Sequence, residues 1–304
     1  MHDDVDILLA TYNGEQYLSE LIQSILAQTH PHIRLLVRDD ASTDKTPQIL
    51  QEFASCYSDK IRIIPTHRNL GVKGNFSELM NHATSDYIMF ADQDDRWHPD
   101  KVVKSLKQLK QLESEWGAET PLLVHTDLTV VSANVDLISP SFWLYSYLNP
   151  HLDTLNRLLP QNVVTGCATI FNRALLNLAW PIPTEAVMHD WWLALVAKAF
   201  GQISSLPIPT LLYRQHTSND TGAKKYSLGA IFKIKWRGST PQTYKQAAAF
   251  LERYGQRLED NQRELVETYA SLGHAPFLKR NIQIWQHGFF KQGLLRNLKA
   301  FILN

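Results

Sequence analysis

Apolar runs alternate with helical stretches along the first third of the chain. The apolar runs predict β-strands at 5–10, 33–37, 61–65 and 87–91. The segments between them have the length and polarity pattern of helices, near 15–27, 46–57 and 73–83. Strands that are apolar along their whole length and alternate with helices are typical of parallel βαβ units, in which helices cover both faces of the sheet. The pattern therefore predicts an α/β fold with a doubly wound, mostly parallel sheet.

The pattern is less regular after residue 120. It predicts a strand around 122–131, a strand followed by a helix within 162–176, a helix at 189–201 and a pair of strands within 204–216. Beyond Gly222 it predicts long helices, from about Thr240 to Leu272 and from Phe277 to the end. We accordingly divide the chain into a main α/β domain at 1–221 and a helical extension at 222–304.

Charge is unevenly distributed, although the 304 residues carry a formal net charge of zero. Residues 1–221 contain 16 Lys and Arg against 25 Asp and Glu, a net charge of −9, whereas residues 222–304 contain 14 against 5, a net charge of +9. A basic extension beside an acidic body predicts an anionic partner, for which a nucleic acid and a membrane surface are both candidates.

Two observations bear on the cellular compartment. No window approaches the roughly 18 consecutive apolar residues of a membrane-spanning helix, and the N-terminus carries acids where a signal peptide carries bases. Cys56 and Cys167 lie far apart without a CxxC pattern, which favours buried, reduced thiols. We therefore expect a cytosolic protein.

Polar segments follow three of the predicted strands, at 10–17, 38–46 and 91–97. In such sheets ligands bind beyond the carboxyl ends of the strands, so these segments are expected to meet at one crevice. Asp39 and Asp40 end the second strand, where carboxylates can accept hydrogen bonds from a nucleobase or a ribose hydroxyl. Capping of the next helix explains Ser42 or Asp44 but not the two aspartates before them.

The segment from Asp92 to Asp95 is a candidate metal site. Asp92 and Asp94 are spaced so that both carboxylates reach one hard divalent cation or its bound waters, which would relieve their mutual repulsion. The alternative is a solvated acidic turn that caps the helix predicted near Pro99.

Two further pairs of residues suit catalysis. His189 and Asp190 begin a helix beside two tryptophans; the helix N-terminus favours an ionised carboxylate, and the indoles favour a protonated one. These opposing effects suit a general base, although a first-turn acid is also common in helices without a function. Arg214 and His216 alternate along a predicted strand end, so we expect them to point toward the same side, where they suit a phosphate and a metal; a structural histidine is the alternative.

Taken together, these segments resemble the inverting glycosyltransferases of family 2, which have the GT-A fold. The matching segments are 7–30, 37–46, 69–102, 165–176, 189–197 and 212–219. They occur in the family's order and extend from residue 5 to about residue 220.

The resemblance implies a role for each motif residue. The residues expected to bind the nucleotide sugar are Thr11, Tyr12, Asn13, Asp39, Asp40, Asn69, Lys73, Asp92 and Arg214. Asp94 is expected to bind Mn²⁺ or Mg²⁺ with His216, and Asp190 is expected to be the catalytic base. His189 stands where many relatives have glutamate, so a pseudoenzyme that binds nucleotide sugar without turnover is an alternative.

The motif combination DQDD, NLGV..NF, HDWW and LYRQH is most similar to bacterial rhamnosyltransferases, which transfer L-rhamnose from dTDP-L-rhamnose during polysaccharide biosynthesis. The acceptor would be a hydroxyl of a polysaccharide or of a lipid-linked saccharide. A UDP-hexose donor such as UDP-glucose or UDP-galactose is the alternative. A nucleotidyltransferase would need a Gly-rich phosphate loop that residues 10–17 lack, and a nucleic-acid binder would need exposed base-stacking aromatics.

The end of the helical extension has an apolar stripe at helical spacing. The stripe consists of Leu278, Ile282, Trp285, Phe289, Phe290, Leu294, Leu298 and Phe301 or Ile302, and it is flanked by Lys279, Arg280, Lys291, Arg296 and Lys299. This pattern predicts an interfacial helix on an anionic membrane, at the inner face of the plasma membrane and near a lipid-linked acceptor. The alternative is a helix that docks against the catalytic body or a second subunit.

Overall fold

A sheet of nine strands forms the middle of the fold in the computed structural model, which describes residues 3–216, 241–294 and 296–297. The strands are β1 (Val5–Thr11), β2 (Ile33–Asp39), β3 (Ile61–Ile63), β4 (Tyr87–Asp92), β5 (Arg96–Trp97), β6 (Leu122–Ser132), β7 (Leu137–Ser139), β8 (Thr169–Asn172) and β9 (Gln202–Gln215). The helices are α1 (Leu18–Leu26), α2 (Thr46–Cys56), α3 (Gly71–His82), α4 (Lys101–Trp116), α5 (Phe142–Tyr145), α6 (Leu155–Leu158), α7 (Arg173–Ala179), α8 (His189–Phe200), α9 (Gln242–Tyr254), α10 (Asp260–Ser271) and α11 (Phe277–His287).

The order of the strands creates a crevice beside β1. The order is β3-β2-β1-β4-β8-β6-β9-β5, with β7 beside β6. β1 is parallel to both β2 and β4, whereas β8 is antiparallel to β4 and β6. The chain runs outward from β1 through β2 and β3 and then returns to the other side of β1 at β4. The carboxyl ends of β1 and β4 therefore border the place where ligands bind in such sheets.

Helices cover both faces of the sheet. Along β1, Leu8 packs into a core that α3, α7 and α8 cover, whereas Ile7 and Leu9 pack into a second core beneath α1, α2 and α4. All three side chains are fully buried. This arrangement follows from the period of two along a strand, and it confirms the predicted α/β fold with a doubly wound, mostly parallel sheet.

The described helices of the extension share the first of these cores. Phe250 and Tyr254 of α9 contact the buried Trp192 of α8, with ring centroids 5.5 and 5.9 Å apart. Val266 and Tyr269 of α10 belong to the same core. The proposed boundary near residue 221, and the stripe residues beyond 297, lie outside the described residues.

Three local predictions were wrong. The strand pair within 204–216 is the single strand β9, whose register shifts near Pro207 and Pro209, because proline cannot donate a ladder hydrogen bond. The helix predicted from Thr240 to Leu272 divides into α9 and α10, and a capping box of Glu259 and Gln262 starts the second of them. Cys167 is buried as expected, but Cys56 is exposed.

No helix in the part of the chain that the structure describes is long and apolar enough to cross a bilayer.

Candidate active site

A cavity of about 690 Å³ lies at the carboxyl ends of β1 and β4. The residues predicted as site residues that line it are Thr11, Tyr12, Asn13, Asp40, Asn69, Asp92, Asp94, Asp190 and His216. Asp39, Lys73 and Arg214 do not line it, and their side chains contact the backbone and side chains behind its walls. The cavity therefore brings together residues that are far apart in sequence, from Thr11 to His216.

Asp40 is buried in the wall of this cavity by contacts on both of its oxygens. Oδ1 lies 2.8 Å from Nη1 of Arg38 and accepts a hydrogen bond from the Leu70 N–H. Oδ2 accepts from the Gly71 N–H at 2.8 Å. The Asn69 amide donates to the Asp40 carbonyl at 2.9 Å. Asp40 thus fixes the start of α3 against β2 while its side chain faces the cavity.

Asp39 holds two loops together from behind the cavity. Its Oδ1 accepts hydrogen bonds from the hydroxyls of Thr11 and Ser42, and its Oδ2 accepts from the Ser42 N–H. The Ser42 hydroxyl in turn accepts from the N–H of Asn13, whose φ of +48° is in the left-handed region. Asp39 therefore sets the position of Thr11 and Asn13, which do line the cavity.

Lys73 contacts the loop that precedes α8. Its Nζ donates to the carbonyl oxygens of Thr184 and Ala186, at 2.8 and 2.5 Å. Burial lowers the pKa of the Lys73 ammonium, and the Glu185 carboxylate opposes that shift.

Arg214 supports the acidic turn after β4 from behind. Its Nε donates to the Asp94 carbonyl at 2.9 Å, and its Nη2 lies 2.5 Å from the Glu20 carboxylate. The guanidinium also lies over the ring of Tyr17, 4.5 Å from the centroid. The side chain of Asp94 faces the other way, with Oδ2 at 2.8 Å from Nε2 of His216. Residues two apart on a strand point to the same side, but β9 ends at Gln215, so His216 lies beyond the strand. Arg214 packs behind the turn and His216 lines the cavity, so the expectation that both point the same way is wrong.

Asp190 also lines the cavity, on the first turn of α8. Its Oδ2 accepts a hydrogen bond from the Gly166 N–H at 2.9 Å, and its Oδ1 accepts from the Trp191 N–H at 2.6 Å. Burial raises the pKa of the Asp190 carboxyl to about 6, although these two N–H groups lower it. A carboxylate that is ionised at neutral pH and is more basic than usual suits a general base.

Comparison with known proteins identifies the family of this chain. The family model for glycosyl transferase family 2 matches residues 6–117. The dTDP-rhamnosyl transferase RfbG of Shigella flexneri is 29% identical over 246 residues, which are 75% of this chain and 80% of that protein. The chain belongs to glycosyltransferase family 2.

Two solved structures show that this glycosyltransferase has the GT-A fold. S. aureus TarS in complex with UDP-GlcNAc aligns with a TM-score of 0.59 and 18% identity, over 89% of this chain and 72% of that one. The mannosyltransferase PcManGT from Pyrobaculum calidifontis, in complex with GDP-Man and Mn²⁺, aligns with a TM-score of 0.53 and 16% identity, over 97% of this chain and 78% of that one.

The donor set of the glycosyltransferase suits a hard divalent cation on the cavity side of the acidic turn. Asp94 is paired with His216. A carboxylate oxygen of Asp92 lies within 4.8 Å of a carboxylate oxygen of Asp95 and of Sγ of Cys167. Burial and the neighbouring acids raise the pKa of the Cys167 thiol, so that a thiolate is disfavoured. Mn²⁺ and Mg²⁺ prefer oxygen and accept imidazole less readily. The carboxylates of Asp92 and Asp94 that face the cavity therefore fit such an ion better than the group around Cys167.

Asp95 and Lys101 explain why three aspartates can lie so close together. Both residues are fully buried. Burial, with the charges of Asp94 and Asp92, raises the pKa of the Asp95 carboxyl well above its usual range, so that this group tends to be neutral. Burial lowers the pKa of the Lys101 ammonium to about 8, while the nearby acids raise it. The turn thus carries less negative charge than its sequence implies.

Two residues of this arrangement, Lys101 and Gly166, were not predicted from the sequence, and Asp95 was predicted only as part of the acidic segment. Lys101 lies at helical spacing from the buried Ser105 and Leu109, which is a signal that this lysine is on the inner face of α4. Gly166 donates to Asp190, and no pattern in its neighbours marks that contact.

Proposed function

We propose that this glycosyltransferase moves L-rhamnose from dTDP-L-rhamnose to a hydroxyl of a polysaccharide or of a lipid-linked saccharide. The observation that carries the proposal is that one cavity is lined both by Asp94, paired with His216, and by Asp190, whose carboxyl has a raised pKa. This arrangement supports a single displacement, in which a leaving group and an attacking hydroxyl are held on opposite sides of the transferred sugar.

The residues that line the cavity have separate chemical roles in this proposal. Asp94 and His216, with Asp92, would hold Mn²⁺ or Mg²⁺, which when bound neutralises negative charge on the departing nucleoside diphosphate. Thr11, Tyr12, Asn13, Asp40 and Asn69 would contact the nucleotide. Asp190 accepts the proton of the acceptor hydroxyl while the hydroxyl oxygen forms a bond to the anomeric carbon. At the same time the bond from that carbon to the diphosphate oxygen breaks. The anomeric configuration is therefore inverted.

Support for the rhamnosyl donor comes from the likeness to RfbG and from the motif combination described above. A UDP-hexose donor is the second candidate, favoured by the structural likeness to TarS, which binds UDP-GlcNAc. A thermal-shift panel of dTDP-L-rhamnose, dTDP, UDP-glucose and UDP-galactose with Mn²⁺ or Mg²⁺ separates them, because a ligand that binds only the native state raises the melting temperature. We expect dTDP-L-rhamnose to stabilise most. Equal stabilisation by dTDP alone would contradict the rhamnosyl assignment, and steady-state release of nucleoside diphosphate with a competent acceptor would exclude a pseudoenzyme.

The pH dependence of transfer should follow Asp190. Because the base must be ionised and its pKa is about 6, kcat/KM is expected to rise with pH, reach half of its maximum near that value and then level off. Below it the rate should fall about tenfold per pH unit. Initial rates at low donor concentration, with the fold checked by circular dichroism at each pH, measure this. A flat profile between about pH 5 and pH 7 would contradict the role of Asp190.

We propose an anionic membrane surface as a second partner, on the cytoplasmic side. α11 is anchored to the body by the buried Ile284 and by Phe289, which follows it. Its opposite face exposes Leu278, Ile282 and Trp285, with exposed fractions of 73%, 51% and 74%. The sequence has no acidic residue after position 267, whereas it has five Lys and Arg there. An exposed apolar face among cations suits anionic lipid.

Vesicle sedimentation tests this second partner. The triple variant L278Q/I282Q/W285Q should lose at least about tenfold in partitioning to phosphatidylglycerol vesicles, because three apolar side chains no longer insert. W116Q, which alters an exposed tryptophan on α4, is the matched control and should bind like the wild type. Unchanged partitioning of the triple variant would contradict the proposal, and so would a lipid-free dimer that the triple variant abolishes.

A further inference from the structure

His189, the first residue of α8, lines the cavity with an imidazole whose nitrogens are unpaired within the described part of the chain. Its side chain is almost completely buried, with 3% of its surface exposed. The imidazole stacks on Phe76 with ring centroids 4.0 Å apart and meets the edge of Phe90 at 4.7 Å. Neither Nδ1 nor Nε2 has a hydrogen-bond partner among the residues that the structure describes.

The ring nitrogens of His189 are available for a neutral hydrogen bond. Burial lowers the pKa of this imidazole to about 3, so it is uncharged at neutral pH. A neutral imidazole has one N–H donor and one acceptor nitrogen. Buried polar groups in proteins are almost always paired, and a buried group without a partner in a cavity wall is therefore expected to pair with what the cavity binds.

Because Gly166 has no side chain, it leaves space in the cavity wall between His189 and Asp190. A Cβ added at Gly166 would lie 3.0 Å from Nε2 of His189 and 3.6 Å from Oδ2 of Asp190. Both polar atoms thus border the same small space, which only glycine leaves clear. A ligand group at this place would reach both side chains.

We propose that His189 is a specificity-determining residue, whose imidazole hydrogen-bonds a hydroxyl of the transferred sugar. The inference rests on the proposed function, because it requires a nucleotide sugar in this cavity. His189 is more deeply buried than Asp190, which is partly exposed. In the proposed function the acceptor enters from solvent and gives its proton to Asp190, so the transferred sugar would lie deeper in the cavity. The deeper of the two side chains therefore contacts the transferred sugar.

The variant H189F tests this role because phenylalanine keeps the aromatic packing against Phe76 and Phe90 and removes both ring nitrogens. H125F is the matched control. His125 is also fully buried, also lacks partners for both nitrogens among the described residues, and packs against Trp143 outside the cavity. Calorimetric titration with dTDP and with dTDP-L-rhamnose, or with the donor that the thermal-shift panel selects, separates the nucleotide from the sugar.

H189F is expected to bind dTDP as the wild type does and to lose roughly 5- to 100-fold in affinity for the nucleotide sugar and in kcat/KM for the donor. KM for the acceptor should not change, and H125F should behave like the wild type. A donor that lacks one hydroxyl should be discriminated against by the wild type and not by H189F, which identifies the contacted hydroxyl.

Three results would overturn the inference: wild-type donor kcat/KM in H189F, an equal loss of affinity for dTDP alone, or a change confined to the acceptor KM. The melting temperature of H189F shows whether the variant is folded. If it is unfolded, H189Q replaces it, and a preserved preference for the intact donor in H189Q is then required. A wild-type protein that binds no nucleotide sugar would instead refute the proposed function.

Discussion

Replacing Asp190 with asparagine is expected to lower kcat by about 10²- to 10⁴-fold, the usual contribution of a positioned general base. Asparagine has nearly the same shape and keeps one oxygen to accept a hydrogen bond from Gly166 or Trp191, but it cannot take up a proton. Because the acceptor hydroxyl is a poor nucleophile without proton removal, the loss should fall on kcat and not on binding of the donor.

The stability of D190N separates a catalytic loss from misfolding. The folded protein raises the pKa of Asp190, so ionisation of this group opposes folding, and this cost grows as pH rises from about 4 to about 6. An uncharged side chain removes the cost, so the melting temperature of D190N at neutral pH should equal or exceed that of the wild type. D136N, in an exposed turn after β6, is the control for activity. Wild-type kcat in D190N would exclude Asp190 as the base.

Replacing Asp94 with asparagine is expected to lower transfer by about 10²- to 10³-fold, the scale of a lost electrostatic contact to the leaving group. The variant removes the carboxylate that faces His216, while Arg214 still binds the Asp94 carbonyl behind the turn. Its fold should therefore be preserved.

Chelation provides the parallel experiment for the acidic turn. EDTA should reduce transfer by the wild type to the level of D94N, and added Mn²⁺ should restore the wild type but not the variant. D100N is the matched control, because Asp100 lies in the same connection and pairs with Lys104 at the surface. Full activity of the chelated wild type would show that the turn has no metal-dependent role.

Residues that line the cavity at the ends of strands were easier to predict from the sequence than residues that pack behind the cavity. Asp92, Asp94 and Asp40 follow apolar runs, and the rule that ligands bind at the carboxyl edge of the sheet placed them at one cavity. Arg214 was expected to meet phosphate, yet its guanidinium packs behind the turn on Glu20 and Tyr17. The period of two along a strand predicts that Arg214 and His216 point to the same side, but this period holds only within a strand, and β9 ends at Gln215.

The C-terminal helices show a second limit of pattern analysis. The spacing of the apolar stripe predicts one continuous helical face, but Phe289 is buried whereas Trp285 is exposed. Gly288, with φ of +69°, ends α11 between them and redirects the chain. The helical period therefore holds only up to this residue, and packing of Ile284 on the body decided which face of α11 is free.

The anomeric configuration of the product is the most direct test of a single displacement with Asp190 as base. The enzyme is incubated with its nucleotide sugar, its acceptor and Mn²⁺, and the new glycosidic linkage is assigned by NMR. We expect the transferred sugar to have the anomeric configuration opposite to that of the donor sugar. A product that keeps the donor's configuration would contradict it.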